Sequence, residues 1–213
     1  FKTDDLKKCS RFWIILFKTI LSKLYHWKIY VVGSVEYQYP NHLFQAGYFL
    51  DKKYYDENTI DFKHLLLSEK NQSLLKDIQN SNSVGVHIRR GDYMTKQNLV
   101  IFGNICTQKY YHDAIRIITE KVNDAVFYVF SDDISWVQTH LDIPNAVYVN
   151  WNTGESSIYD MYLMSSCKYN IIANSTFSYW AARLNKKTNM VIYPSKWYNT
   201  FTPDIFPESW CGI

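Results

Sequence analysis

Ser83-Val84-Gly85-Val86-His87-Ile88-Arg89-Arg90-Gly91-Asp92-Tyr93 is an apolar run that ends in a histidine, two arginines and an aspartate. Residues of a strand alternate between its faces, so Val84, Val86 and Ile88 share one side while Gly85, His87 and Arg89 share the other. The strand therefore delivers a charged pair at its carboxyl end. Guanidiniums are costly to desolvate and do not shed their proton, so a compensating anion belongs nearby. Arginine's planar fork suits a phosphate or pyrophosphate. The other use of the same residues is structural, a bridge from one arginine to Asp92 or another carboxylate.

Downstream, the pattern repeats. Gln108 to Val122 carries a helical stripe of Tyr110, Tyr111, Ala114, Ile115, Ile118 and Val122. Ala125 to Phe130 is a nearly continuous apolar strand that stops at Ser131-Asp132-Asp133, and a helix from Ile134 to His140 follows. Strand Ala146 to Val149, helix Ser156 to Ser166, strand Asn170 to Ala173, helix Phe177 to Leu184 and strand Met190 to Tyr193 complete the alternation. Strands alternating with helices predict an α/β fold, a parallel sheet covered on both faces. Ligands of such sheets sit beyond the carboxyl ends of the strands, where three polar clusters converge: His87 to Asp92, Ser131 to Asp133 and Asn174 to Ser178.

Arg89 and Arg90 are the candidate anion receivers. The helix opening after Asn174-Ser175-Thr176 offers free amides and a positive dipole end as a second phosphate site, although Ser175 or Thr176 also reads as an ordinary N-cap. Asp132 and Asp133 could accept hydrogen bonds from a base or a ribose, and one carboxylate can take two donors from a guanine edge. An aspartate after a strand is equally a common turn former. His87 reads either as a holder of the arginine loop or as an acid-base group. Neither Gly-x-Gly-x-x-Gly nor a Walker lysine motif occurs, which disfavours dinucleotide oxidoreductases and P-loop enzymes. Asp132-Asp133 is not the Asp-x-Asp metal signature, so no metal is expected if the arginines take the leaving charge.

Composition sets outer bounds. With 47% hydrophobic and 20% charged residues the 213-residue chain is globular, and a formal charge of +3 is too weak a field to imply nucleic-acid binding. The 18 tyrosines and 7 tryptophans fit either a surface that handles sugars or an aromatic core. Cys9, Cys106, Cys167 and Cys211 form no Cys-x-x-Cys pair, which disfavours zinc and favours a reducing compartment. Residues 6 to 28 read as a basic amphipathic helix that either packs on the protein or rests on an anionic membrane surface. The apolar run Phe12 to Phe17 is too short to span a bilayer, and no signal peptide is visible. A strand is expected near Lys28 to Val35, an irregular stretch from Tyr37 to Tyr48, a helix from Lys63 to Gln79 and a polar linker from Asn80 to Ser83. That linker puts a domain boundary between 1–80 and 81–213.

Three segments in this order carry a family resemblance: His87-Ile88-Arg89-Arg90-Gly91-Asp92-Tyr93, Phe130-Ser131-Asp132-Asp133-Ile134-Ser135-Trp136, and Asp160 to Ser165 leading to Ile172-Ala173-Asn174-Ser175-Thr176-Phe177-Ser178-Tyr179-Trp180. Together with upstream Gly47-Tyr48-Phe49 and Tyr54-Tyr55, over about residues 30 to 200, they resemble the alpha-1,2-fucosyltransferases, glycosyltransferase family 11. The resemblance implies a GT-B-type fold of two Rossmann-like halves, with GDP-fucose in the carboxyl-terminal half and acceptor sugar in the cleft. It implies inverting, metal-independent transfer of L-fucose to a galactose 2-hydroxyl. Arg89 then resembles the pyrophosphate-binding arginine, supported by Arg90 and His87. Asp132, with Asp133 beside it, resembles the carboxylate that meets guanine, and Asn174, Ser175, Thr176, Phe177 and Ser178 the loop near ribose and phosphates. Asp92 and Glu155 are candidates for the base.

Members usually begin with a Gly-Gly-Leu-Gly-Asn-Gln segment that does not occur here, so residues 1–80 are expected to be a remnant of the acceptor-side half. The expected setting is polysaccharide synthesis at the cytoplasmic face of the membrane, with a galactose-containing glycan as partner. The rival readings are a non-catalytic domain that binds a GDP-sugar or glycan, and a transferase of another nucleotide sugar.

Overall fold

The computed structural model describes residues 61–213, together with the backbone of two short strands upstream. Those strands, β1 (Tyr30–Gly33) and β2 (Phe44–Gly47), pair in parallel within the unit Phe1–Ile60. The first lies where a strand is expected. The second falls in the stretch expected to be irregular, because a four-residue strand needs only backbone partners and β1 supplies them. The basic segment 6–28 lies outside the described residues.

The unit Asp61–Ile213 is built on a six-stranded sheet. Its elements in chain order are α1 (Glu69–Asn80), β3 (Asn82–Ile88), α2 (Lys96–Phe102), α3 (Gln108–Thr119), β4 (Ala125–Ser131), α4 (Ile134–His140), β5 (Ala146–Val149), α5 (Ser157–Ser165), β6 (Tyr169–Ile171), α6 (Thr176–Arg183), β7 (Met190–Tyr193) and β8 (Cys211–Gly212). The strand order is β5-β4-β3-β6-β7-β8, and every pairing is parallel. The expected α/β architecture is therefore present, with one further strand. β8 adds only two residues to the edge, too few to show a period in sequence.

Alternation in β3 works as expected. Val84, Val86 and Ile88 enter a core with Tyr111, Ala114, Ile115 and Ile118 of α3 and Val137 of α4. On the opposite face Leu74 and Ile78 of α1, Leu163 and Met164 of α5 and Ala181 of α6 close over Tyr128 and Phe130. Burying these side chains on both faces stabilises the unit by roughly 1.5–3 kcal/mol for each large one. Side-chain caps set where the helices begin: Ser68 accepts from Asn71 N, Thr107 from Tyr110 N and Asp133 from Trp136 N. The aromatic residues of the carboxyl-terminal segment form a core cluster, with Tyr179 edge-on to Trp197 and Phe206 and tilted against Trp210.

Helix α1 belongs with the sheet, since it packs on β3 and α5 and the compact unit begins at Asp61 rather than at residue 81. Its apolar stripe, Leu74 and Ile78, has its partners in β4 and α5. The expected polar linker is correspondingly short: α1 runs to Asn80 and β3 starts at Asn82.

Gly85 is required by close packing. A Cβ there would lie 2.8 Å from Asn170 Nδ2 and 3.3 Å from Cys167 Sγ, both in buried side chains. Asn170 cannot move freely, because it donates to Met164 O and accepts from Asn185 Nδ2. Gly85→Ala is expected to cost about 1–3 kcal/mol, read as a lower urea midpoint at unchanged m. An unchanged midpoint would show that the β3–β6 contact is not tight.

Candidate functional site

The chain runs from β3 outward through β4 to β5, then returns to the other side of β3 for β6. Order reverses between β3 and β6, and a parallel sheet opens a crevice at the carboxyl ends of such a pair. A cleft of about 550 Å³ lies there. It is lined by His87 and Arg89 at the end of β3, Asp132 after β4, Asn152 after β5, Asp160 on α5 and Phe177 on α6.

Arg89 is held between two carboxylates. Nη2 meets Asp92 Oδ1 at 2.6 Å and Nη1 meets Asp132 Oδ2 at 2.9 Å. The pairs differ in setting: the Asp92 side chain is 56% exposed and that of Asp132 is 27% exposed. An exposed pair contributes at most about 1 kcal/mol, so the pair with Asp92 is the weaker of the two. Asp132 is fixed from behind, because its Oδ1 accepts from the backbone N–H of Arg90 at 2.9 Å. Gly91 makes room for this arrangement, since a Cβ there would lie 2.5 Å from Asp132 Oδ2.

Arg90 continues the alternation and turns to the other side. Its Nε donates to Asp133 Oδ2 at 3.2 Å, and its guanidinium lies 3.7 Å from the centre of the Trp136 ring. Asp133 is also the N-cap of α4. A second, smaller cleft of about 250 Å³ lies beside Arg90, Tyr93, Cys106 and Asn174. The two arginines thus serve different surfaces, and only Arg89 opens on both clefts.

The third cluster divides in the same way. Phe177 reaches the main cleft, its ring 5.1 Å from that of His87. Asn174 is buried and holds distant loops together, its Nδ2 donating to Trp197 O and Phe102 O. Ser178 donates to Ala173 O and Ser175 O, and Thr176 opens α6 half-buried. Ser175 stands at the N-cap position without a capping side-chain bond, so the first-turn amides of α6 have no hydroxyl partner from it. Glu155 is exposed, in a single 3₁₀ turn between β5 and α5.

His87 is 5% exposed, and its Nδ1 has no hydrogen-bond partner. Burial, with the nearby Arg89 charge adding to it, pulls its pKa down to about 3, so the ring is neutral under ordinary conditions. Asp160 goes the other way. Burial pushes its carboxyl up to about 7, opposed by a 2.6 Å hydrogen bond that Asn152 Nδ2 donates to its Oδ1. Among the described residues Oδ2 of Asp160 has no such bond. Asp160 and Asn152 were not singled out from sequence. The available signal was a carboxylate on the same stripe as Leu163 and Met164, an apolar face where an acid is costly unless it has a task.

The signs of these two shifts give a measurable result. Asp160, with a folded pKa above its ordinary 3.8, lowers stability as pH rises from about 4 to about 7 and adds nothing further above that. His87, with a folded pKa below its ordinary 6.5, lowers stability as pH falls from about 6.5 to about 3. The two oppose each other between about pH 4 and 6.5. In Asp160→Asn, urea unfolding is expected to show stability falling below about pH 6.5 with a slope approaching 1.4 kcal/mol per pH unit, steeper than in the parent chain. Parallel profiles for the two proteins would contradict the assignment.

A profile of glycosyl transferase family 11 matches residues 11–213. The chain belongs to this family. It is 35% identical over 196 residues to an alpha-1,2-colitosyltransferase of Escherichia coli, covering 85% of this chain and 63% of that protein. It is 44% identical over 122 residues to the O-antigen biosynthesis glycosyltransferase WbnK of Escherichia coli, covering 56% of this chain and 40% of that protein. A galactoside alpha-(1,2)-fucosyltransferase 2 of Pongo pygmaeus is 28% identical over 163 residues, covering 70% of this chain and 48% of that protein. The family 11 chain therefore spans from 40% to 63% of the length of these relatives. The fucosyltransferase NodZ from Bradyrhizobium superimposes with a TM-score of 0.44 at 15% identity, over 86% of this chain and 62% of that one, too distant a likeness to bear on the site. Among the described residues no helix is long and apolar enough to cross a membrane.

Proposed function

We propose that the family 11 chain carries the donor half of an inverting transferase that moves L-fucose from GDP-fucose to the 2-hydroxyl of a galactose residue, without a metal ion. The observation that carries this reading is Arg89, a guanidinium at the switch point of a parallel sheet whose most exposed partner is the displaceable carboxylate of Asp92. As the anomeric C–O bond breaks, its electron pair stays on the diphosphate and the sugar becomes oxocarbenium-like. A fixed guanidinium gains most from the charge at that moment, so it stabilises the transition state more than the ground state.

The base of the nucleotide then falls toward the floor of the cleft. Both oxygens of Asp132 are engaged, by Arg89 and by the Arg90 amide, whereas Asp160 keeps an accepting oxygen. Guanine presents adjacent N–H donors on one edge, and their approach would favour the ionised form of Asp160. Neutral His87 packs beside Phe177 as a wall of the cleft and keeps Arg89 from meeting a second cation. Asp92, released from Arg89 at the rim, would then be free to take the proton of the acceptor hydroxyl. The alpha-1,2-colitosyltransferase relative favours a second donor reading, a colitosyl group in place of fucosyl on the same nucleotide.

The test is a screen of this chain and of an upstream-extended form against labelled GDP-fucose, with lactose and other galactosyl acceptors. Transfer to the galactose 2-hydroxyl is expected. Tight GDP binding with no transfer by either form would instead make this a non-catalytic binding domain, and competition by UDP or ADP as strong as by GDP would reassign the donor.

A further inference from the structure

The floor of the cleft is tied to helix α1 by a chain of carboxamides. Asn71, in the first turn of α1, is 1% exposed, although the other buried positions of that helix are Leu74 and Ile78. Its Oδ1 accepts from Trp151 Nε1 at 2.7 Å and from Asn152 Nδ2 at 3.1 Å, and its Nδ2 donates to Asn152 Oδ1 at 3.0 Å. Asn152 Nδ2 also donates to Asp160 Oδ1 at 2.6 Å.

The polarity of every link follows from the one before it. Indole N–H only donates, so Trp151 requires the oxygen of Asn71 on its side. Asn71 then offers its NH₂ to Asn152, which must answer with its own oxygen. That leaves the NH₂ of Asn152 facing Asp160. A reversed Asn152 would put oxygen against carboxylate and NH₂ against NH₂, two repulsive contacts in a buried place.

We propose that Asn71, oriented by Trp151 and acting through Asn152, is a positioning residue that holds a donor on Asp160 Oδ1, so that Asp160 offers its second oxygen as an acceptor to the donor-bearing edge of a guanine nucleotide. The inference rests on the reading of this cleft as a GDP-sugar site and names the residues that give it base selectivity. A carboxamide on the apolar stripe of α1 is otherwise a poor choice, because a leucine there would need no partners. Other charged or titratable groups around Asp160 are His87 and Arg89 from the end of β3, Asp132 after β4 and Lys70 of α1, whose Nζ lies 3.8 Å from the Trp151 ring centre. GDP and ADP share the ionisation of their terminal phosphate between about pH 5.5 and 8.5, so the pH dependence seen in that window with GDP and not with ADP reports Asp160.

The test compares the wild-type chain with Trp151→Phe and Asn71→Leu by titration calorimetry with GDP and with ADP across that window. Trp151→Phe removes the indole N–H together with part of a half-buried ring but leaves Asn71 itself in place, so it serves where Asn71→Leu does not fold. Wild type is expected to prefer GDP to ADP by at least about tenfold. Each folded variant is expected to bind GDP about tenfold more weakly with ADP affinity unchanged, and to need a higher pH to reach its best GDP binding. If wild type prefers GDP but the folded variants keep its GDP to ADP ratio and pH profile, the relay is overturned and Asn71 is structural only. If wild type binds GDP no better than ADP, the GDP-site reading falls and the relay falls with it.

Discussion

Arg89→Ala is expected to lower turnover with GDP-fucose by a factor on the order of 10²–10³, about 3 kcal/mol, in a protein that stays folded. The loss belongs in kcat more than in KM, because the diphosphate gains a further negative charge as the sugar departs. Stability is spared for a definite reason. Arg89 is one-third exposed, and its removal leaves Asp92 in water and Asp132 still bonded to the Arg90 amide. Arg89→Lys is expected to recover little, since an ammonium cannot span Asp132 and a phosphate as a planar fork does. The check is steady-state kinetics on the variants beside their circular dichroism spectra. Near-normal kcat in Arg89→Ala would remove its role.

Asp160→Asn is expected to separate stability from binding. Replacing a buried carboxyl held near a pKa of about 7 by a neutral amide raises stability at pH 8 by an amount on the order of 2–4 kcal/mol. The same change weakens GDP binding by about 10²-fold, because Asn152 Nδ2 keeps the amide oxygen and turns the new NH₂ toward guanine donors. An edge with an acceptor beside a donor suits that amide better, so ADP is expected to gain on GDP. Chemical denaturation and calorimetry on one preparation give both numbers. A variant that is more stable and binds GDP normally would show that Asp160 does not meet the base.

The central strands were legible because backbone alternation is local: Val84, Val86 and Ile88 declare a face whatever surrounds them. Helix α2 was not, since none of its residues is buried and it rests on a Thr95 cap rather than on an apolar stripe. In the site, His87, Arg89 and Asp132 could be read as strand ends that a parallel sheet gathers, and they do line one cleft. The separation of Arg90 from Arg89 follows from the same alternation carried one residue further. Asp160 was hidden for a different reason. A carboxylate in a helix reads as solvated, and its burial depends on α1 and the turn after β5 meeting over it, through Asn71 and Asn152. Pairings between residues so far apart in the chain leave no periodic trace. Likewise, Asn174 shared a motif with Phe177 but faces loops instead of the cleft.

The most direct measurement is the affinity of GDP and of guanosine for wild type and for Arg89→Ala. If Arg89 receives the diphosphate while the base lies on Asp160, the variant binds GDP at least about tenfold more weakly and guanosine as well as wild type does. Equal loss for both ligands, or no loss for either, would contradict a diphosphate seated on Arg89.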